Sequence, residues 1–278
     1  MSFHCFHWLV TFYFANFAGM STALHQSPVF GPVVSRRLGV SLGINLMPGD
    51  GKICTFDCIY CECGFNAERR PQMHRPSQRM VAEALEAKLR EMKSAGTAPD
   101  VLTFSGNGEP TCHPQFAGVI DDTLRLRDKY FPEAKVSVLT NATMLHIAKV
   151  REALMRVDNN IAKLDTVSAQ YINKVNRPVS AGYDVNRTVE QMKLFRGHVI
   201  IQTMFMRGTS GGDDIDNTGD EYVMPWIEKL RDIAPQGVMI YTIDRETPDH
   251  GLRKAPREVL DAIRARVIAA GIPCTASY

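Results

Sequence analysis

Three cysteines crowd into one short stretch, Cys54-Thr55-Phe56-Asp57-Cys58-Ile59-Tyr60-Cys61, at C-x3-C-x2-C spacing. Thiolates are soft ligands, and a set converging on one loop suits a metal that prefers sulfur. Iron–sulfur clusters are held this way, usually by four cysteines. A set of three leaves one iron of a four-iron cluster without a protein ligand, and an open position on a metal is where a substrate or cofactor binds. Cys63 lies just beyond. As a fourth ligand it would close a structural zinc site, but a zinc site has no use for the glycine-rich text downstream.

That text is Ser105-Gly106-Asn107-Gly108-Glu109-Pro110-Thr111. Glycines let a backbone turn sharply and approach a ligand closely, and Glu109 can accept hydrogen bonds from an ammonium group. Asn141, Asp165 and Gln202 carry amides and a carboxylate that pair with hydroxyl and ammonium groups, or that cap helices and bridge strands. Tyr60 is either a core aromatic or a ring against a ligand. Arg36 and Arg37 suit phosphate or carboxylate, or ion pairs with Asp57 or Glu62, while Arg69, Arg70 and Arg75 extend the basic surroundings of the cysteines. His113 and His250 have no partner at metal-ligand spacing and read as loop histidines.

Something must hold these residues together. Apolar runs at 42–46, 101–104, 135–139, 160–164, 199–205 and 238–243 read as strands. Helical patterns over 77–92, 115–127, 144–157, 185–195, 221–233 and 255–270 separate them, the first with Ser77 as its N-cap. Strands alternating with helices predict parallel β/α units with right-handed crossovers: an α/β chain forming a partial TIM-type (β/α)6 barrel. Parallel α/β architectures place function at the carboxyl ends of their strands. The cysteine loop, the glycine segment, Asn141, Lys163, Asp165, Gln202 and Asp244 all fall there. The Gly208–Asp220 stretch, rich in Gly, Asp, Ser and Thr, reads as a mobile loop over one end.

Length and composition agree with one core domain over 25–278 preceded by an extension over 1–24. A formal net charge of +2 is too near neutral to argue for nucleic acid by bulk electrostatics. Seven unevenly placed cysteines make no disulfide framework and fit a reducing cytoplasm. Residues 1–20 are apolar and aromatic without Lys, Arg, Asp or Glu, so they lack the flanks of a signal peptide or anchor. Translation starting at Met20 is the expectation, with a weak apolar anchor as the alternative, and no membrane partner is expected.

The C-x3-C-x-Φ-C pattern, with Tyr60 before the last cysteine, resembles the radical S-adenosylmethionine (radical SAM) superfamily. Phe30-Gly-Pro-Val-Val-Ser-Arg-Arg-Leu-Gly39 and Ser105-Gly-Asn-Gly-Glu-Pro-Thr111 are similar to one branch, the wyosine-type Fe–S oxidoreductases, which modify transfer RNA. The resemblance implies a [4Fe–4S] cluster on Cys54, Cys58 and Cys61, with S-adenosyl-L-methionine chelating the open iron. It implies cofactor contacts from Gly106, Asn107, Gly108 and Glu109 to the methionine amino group, and from Tyr60 to the adenine. Asn141, Asp165 and Gln202 complete the expected cofactor set. Reductive cleavage would give a 5′-deoxyadenosyl radical that takes hydrogen from an unidentified substrate, RNA by family likeness alone. The chain lacks the extra cysteine motif of the wyosine-forming relatives and a flavodoxin-like domain, so an external donor of flavodoxin or ferredoxin type is implied. Two other readings compete: a non-catalytic Fe–S protein for electron transfer or redox sensing, and a zinc-stabilised nucleic-acid-binding module.

Overall fold

The computed structural model describes residues 24–35 and 38–278. The expectations for residues 1–20 and for Arg36 and Arg37 fall outside these residues. In chain order the elements are β1 (Val29–Ser35), β2 (Gly39–Ile44), α1 (Gln78–Ser94), β3 (Val101–Phe104), α2 (Phe116–Tyr130), β4 (Lys135–Thr140), α3 (Ala148–Leu154) and β5 (Asn159–Lys163). Then come α4 (Ala169–Val175), α5 (Val185–Lys193), β6 (Ile200–Met204), β7 (Met206–Ser210), β8 (Asp213–Asp214), α6 (Asp220–Ile233), β9 (Gly237–Tyr241), β10 (Leu252–Lys254), α7 (Arg257–Ala269) and β11 (Cys274–Ser277).

Strand alternation explains why these runs fold as they do. Leu42 and Ile44, Leu102 and Phe104, Val136 and Val138, Ile201, and Val238 and Ile240 all enter one core with the helices. Helix α1 contributes Val81, Leu85, Leu89 and Met92 at helical spacing, and Ser77 caps it by accepting from Met80 N–H. In α6 the buried Trp226 packs edge-on against Phe205 at 5.4 Å and donates its indole N–H to the Leu164 carbonyl. Burying a side chain of this kind contributes about 1.5–3 kcal/mol.

The main sheet runs β1-β2-β3-β4-β5-β6-β9-β11, every neighbouring pair from β2 onward being parallel. Its two outer strands do not pair with each other, so the curled sheet is a partial barrel. The expected six strands are all present, extended by parallel β11 and by β1, which pairs antiparallel with β2. The opposite face of the alternation is polar: Ser41 and Thr103 share a hydrogen bond of 2.8 Å, and Asn159 donates to Ser137 at 2.9 Å. Parallel sheets covered on both faces are usually apolar on both; this one keeps an inner wall that can face polar ligands.

Two expectations need correction. The 208–220 stretch is not a structureless loop: β7 pairs with β8 and β10 in a separate antiparallel sheet. Its apolar anchors Met206 and Ile215 are what the loop-rich composition concealed. The helix expected over 144–157 shortens to α3, because 141–147 are spent on turns with Ala142 at φ +66°. Among the described residues no helix is long and apolar enough to cross a membrane.

Candidate active site

The cysteine loop is fastened by backbone on two sides. On one side Ile53 N–H donates to the Asn107 carbonyl and Glu109 N–H to the Ile53 carbonyl, at 3.1 and 3.0 Å. This contact gives Gly108, at φ +135°, its physical reason: a β-carbon there would lie 1.9 Å from the Ile53 oxygen. The glycine expected to approach a ligand therefore makes room for the chain's own backbone. On the other side Asp57 and Ile59 N–H donate to the Asn176 and Val175 carbonyls, and Val179 N–H donates to that of Thr55. Helix α4 thus presents its C-terminal end as a second clamp.

Around the sulfurs the nearest polar groups are amide donors and a cation. Asn141 and Asn176 each direct a side-chain amide at a thiol, Cys54 and Cys58, at 3.6 Å. The ammonium of the buried Lys52 lies inside the loop, donating to the Gly64 carbonyl at 2.7 Å and facing Asp57 at 3.5 Å. Its charge acts on Cys61, Cys54 and Cys58 alike. Burial pushes the Cys54 thiol well up and the Cys58 thiol up to about 11. Cys61 moves the other way, because the Cys63 side chain beside it and the positive charge of Lys52 favour its thiolate. Among the described residues no three Cys, His, Asp or Glu side chains close around a single metal ion. Tetrahedral zinc would need sulfurs about 3.8 Å apart. Cys63 donates to the Gly106 carbonyl at 3.3 Å. The donor set of three thiols, two amide donors and one buried cation fits a larger sulfur-bound cluster.

The expected cofactor residues fall into two groups. Tyr60 and Asp165 meet in the barrel interior, where the phenol donates to Asp165 and both accept from Asn176. Lys163 donates to the hydroxyls of Tyr60 and Tyr241 at 3.0 and 3.2 Å. Asp165 also accepts from Met204 N–H, which ties this network to β6. Gln202 is buried on β6. Asn141 sits at the mouth, bonded to Thr55 as well as Cys54.

Glu109 and Asn107 are committed to the protein itself. Glu109 Oε1 accepts from Thr111 N–H and from the Thr111 and Thr140 hydroxyls; Oε2 accepts from Asn141 N–H at 2.6 Å. Burial nevertheless pushes its carboxyl above the usual range. Asn107 accepts from His25 N–H and donates to the His25 and Pro48 carbonyls, so its side chain faces away from the cysteines' thiols and its backbone holds Ile53.

Lys52 and Asn176 escaped the sequence reading. Lys52 carried one signal, a lysine two residues before the first cysteine; Asn176 carried none, because α4 itself was not expected. Asp57 pairs with Lys52, and Glu62 with Arg245 at 2.8 Å. His113 is satisfied as read, donating from Nε2 to the Pro76 carbonyl while Nδ1 accepts from Gln115 N–H.

Comparison with known proteins agrees with this geometry. The family model of the radical SAM superfamily matches residues 50–218. A Helicobacter pylori protein named UPF0026 is 29% identical over 222 residues, which cover 78% of this chain and 66% of that protein. The chain thus spans just under two thirds of that relative's length. A radical SAM methyltransferase structure from Sphaerobacter thermophilus superposes with a TM-score of 0.64 at 16% identity, covering 86% of this chain and 66% of its own. A structure of TYW1 with a lysine-pyruvate adduct bound gives a TM-score of 0.59 at 12% identity, over 82% and 73% of the two chains.

Proposed function

The chain belongs to the radical SAM superfamily, and from that premise we propose that it is an enzyme that cleaves S-adenosyl-L-methionine reductively. Cys54, Cys58 and Cys61 would hold a [4Fe–4S] cluster. Bound there, it would supply the one electron that cleaves the cofactor to methionine and a 5′-deoxyadenosyl radical, which would take hydrogen from a substrate. The observation that carries this reading is the Ile53–Gly108 backbone contact, which seats the sulfur loop directly on the glycine segment.

The protein's own residues supply position and dryness. Asn141 and Asn176 orient two of the sulfurs. The Gly106–Glu109 backbone lies beside the cysteines, where it would meet the methionine end of the cofactor. Tyr60, Asp165 and Gln202 line the interior wall for its adenosine end. Glu109 acts by holding Asn141 in place as much as by any direct contact. Phe56, Ile59, Tyr171 and Met204 form a buried apolar layer under the loop that keeps water from a reactive species. Electrons come from a separate donor of flavodoxin or ferredoxin type.

The test is electron paramagnetic resonance of anaerobically reconstituted, dithionite-reduced protein, with and without S-adenosylmethionine. A reduced-cluster signal that changes on adding the cofactor, with 5′-deoxyadenosine formed, is expected. A cluster indifferent to the cofactor would mean electron transfer or sensing, and zinc without iron would overturn the reading.

A further inference from the structure

Lys52 is among the least exposed charges in the molecule. Its side chain is 1% exposed, yet its carboxylate partner Asp57 stands at 3.5 Å, is itself 25% exposed, and spends the same oxygen on Asn66 N–H at 2.7 Å. An ammonium out of water needs close, complete compensation, and a long contact to a shared, partly exposed carboxylate is incomplete. Its hydrogen bond to the neutral Gly64 carbonyl places Nζ within the turn that carries the cysteines, where it also meets Cys61. Lys163, the other lysine of the site, is 17% exposed and differs: it has Asp165 at 3.8 Å and two phenol oxygens around it.

We propose that Lys52 sets the reduction potential of the cluster site, its fixed positive charge favouring the electron-rich state. The inference rests on the reading of Cys54, Cys58 and Cys61 as cluster ligands. On reduction, one electron passes from an external flavodoxin- or ferredoxin-type donor, which is oxidised, and the site gains one negative charge with no proton taken up. A cation inside the ligand loop stabilises that added charge, more strongly than in water because the surroundings are dry. In this role Lys52 acts through the charge of the cluster, as a positioning residue, and Asp57 opposes it by screening.

The experiment is a potentiometric titration, followed by electron paramagnetic resonance, of reconstituted wild type, Lys52→Met, Lys52→Arg and Asp57→Asn. In Lys52→Met the ratio of reduced to oxidised cluster at the wild-type midpoint should fall about tenfold, a shift of about 59 mV to lower potential. Lys52→Arg should stay near wild type, and Asp57→Asn should move the opposite way. A loaded Lys52→Met with an unchanged or raised midpoint overturns the proposal, as does a Lys52→Arg that falls with it. If Lys52→Met fails to take up iron because the Gly64 brace is lost, Asp57→Asn decides: a higher midpoint supports the proposal, an unchanged or lower one overturns it. Absence of a cluster from wild type would instead sink the functional reading itself.

Discussion

At the scale of single residues, Glu109 shows how a ligand-like motif can be consumed by the fold. Its two oxygens satisfy two backbone N–H groups and two threonine hydroxyls. Glu109→Gln keeps the volume but must set an amide N–H against the N–H of either Asn141 or Thr111. A buried donor left unpaired costs about 1–3 kcal/mol. The expected outcome is a lower unfolding midpoint for cofactor-free protein, seen by denaturant titration, together with weaker S-adenosylmethionine binding by calorimetry. Weaker binding at unchanged stability would show that Glu109 acts on the ligand alone. The carboxylate chemistry was legible in the sequence; that the carboxylate is saturated was not, since Thr140 and Asn141 arrive from the end of another strand.

Among the elements, the loop-to-loop seam carries the geometry. Gly108→Ala would drive a methyl group into the Ile53 carbonyl at a φ that L-residues rarely adopt. Strain of this sort costs about 1–3 kcal/mol even when the structure absorbs it. Iron and sulfide content after reconstitution should fall, because relief comes most easily by parting the cysteine loop from its neighbour; full loading would show that the seam is dispensable. The six central strands were readable because every second position feeds a single apolar core. Helix α4 was not, for Ala169–Val175 is two turns long and flanked by polar residues. With it went Asn176, the side chain that joins Cys58, Tyr60 and Asp165. β1 and β11 escaped for a related reason: Pro32 interrupts one, and Cys274–Ser277 is short and half-polar.

Over the whole molecule, acid response is set by carboxylates that tie elements together. Asp158 takes Val136 N–H at the start of β4 and Arg127 from the end of α2. Burial works against its charge, but these hydrogen bonds and the Arg127 guanidinium prevail and hold its carboxyl below the usual range. A carboxyl lowered on folding contributes stability that is complete above the unfolded value of about 3.9 and is lost as pH falls through the folded value. Asp158→Ala should cost about 1–2 kcal/mol at neutral pH, the low end because the side chain is 28% exposed and screened. The gap to wild type should close below about pH 4. Urea titrations at both pH values check it; a gap that persists in acid would assign the loss to packing instead.

The clamps on the cysteine loop also impose an order of events. Ile53 waits for Gly108, and Phe56 waits for Pro178, which pairs with it from far downstream. A chain leaving the ribosome exposes its thiols long before either partner exists, so the sulfurs acquire their arrangement only once the barrel is largely assembled. On the cluster reading, iron would then be delivered to a finished apoprotein. The same chain held reduced and metal-free should already be folded, with an empty cradle ready to be filled.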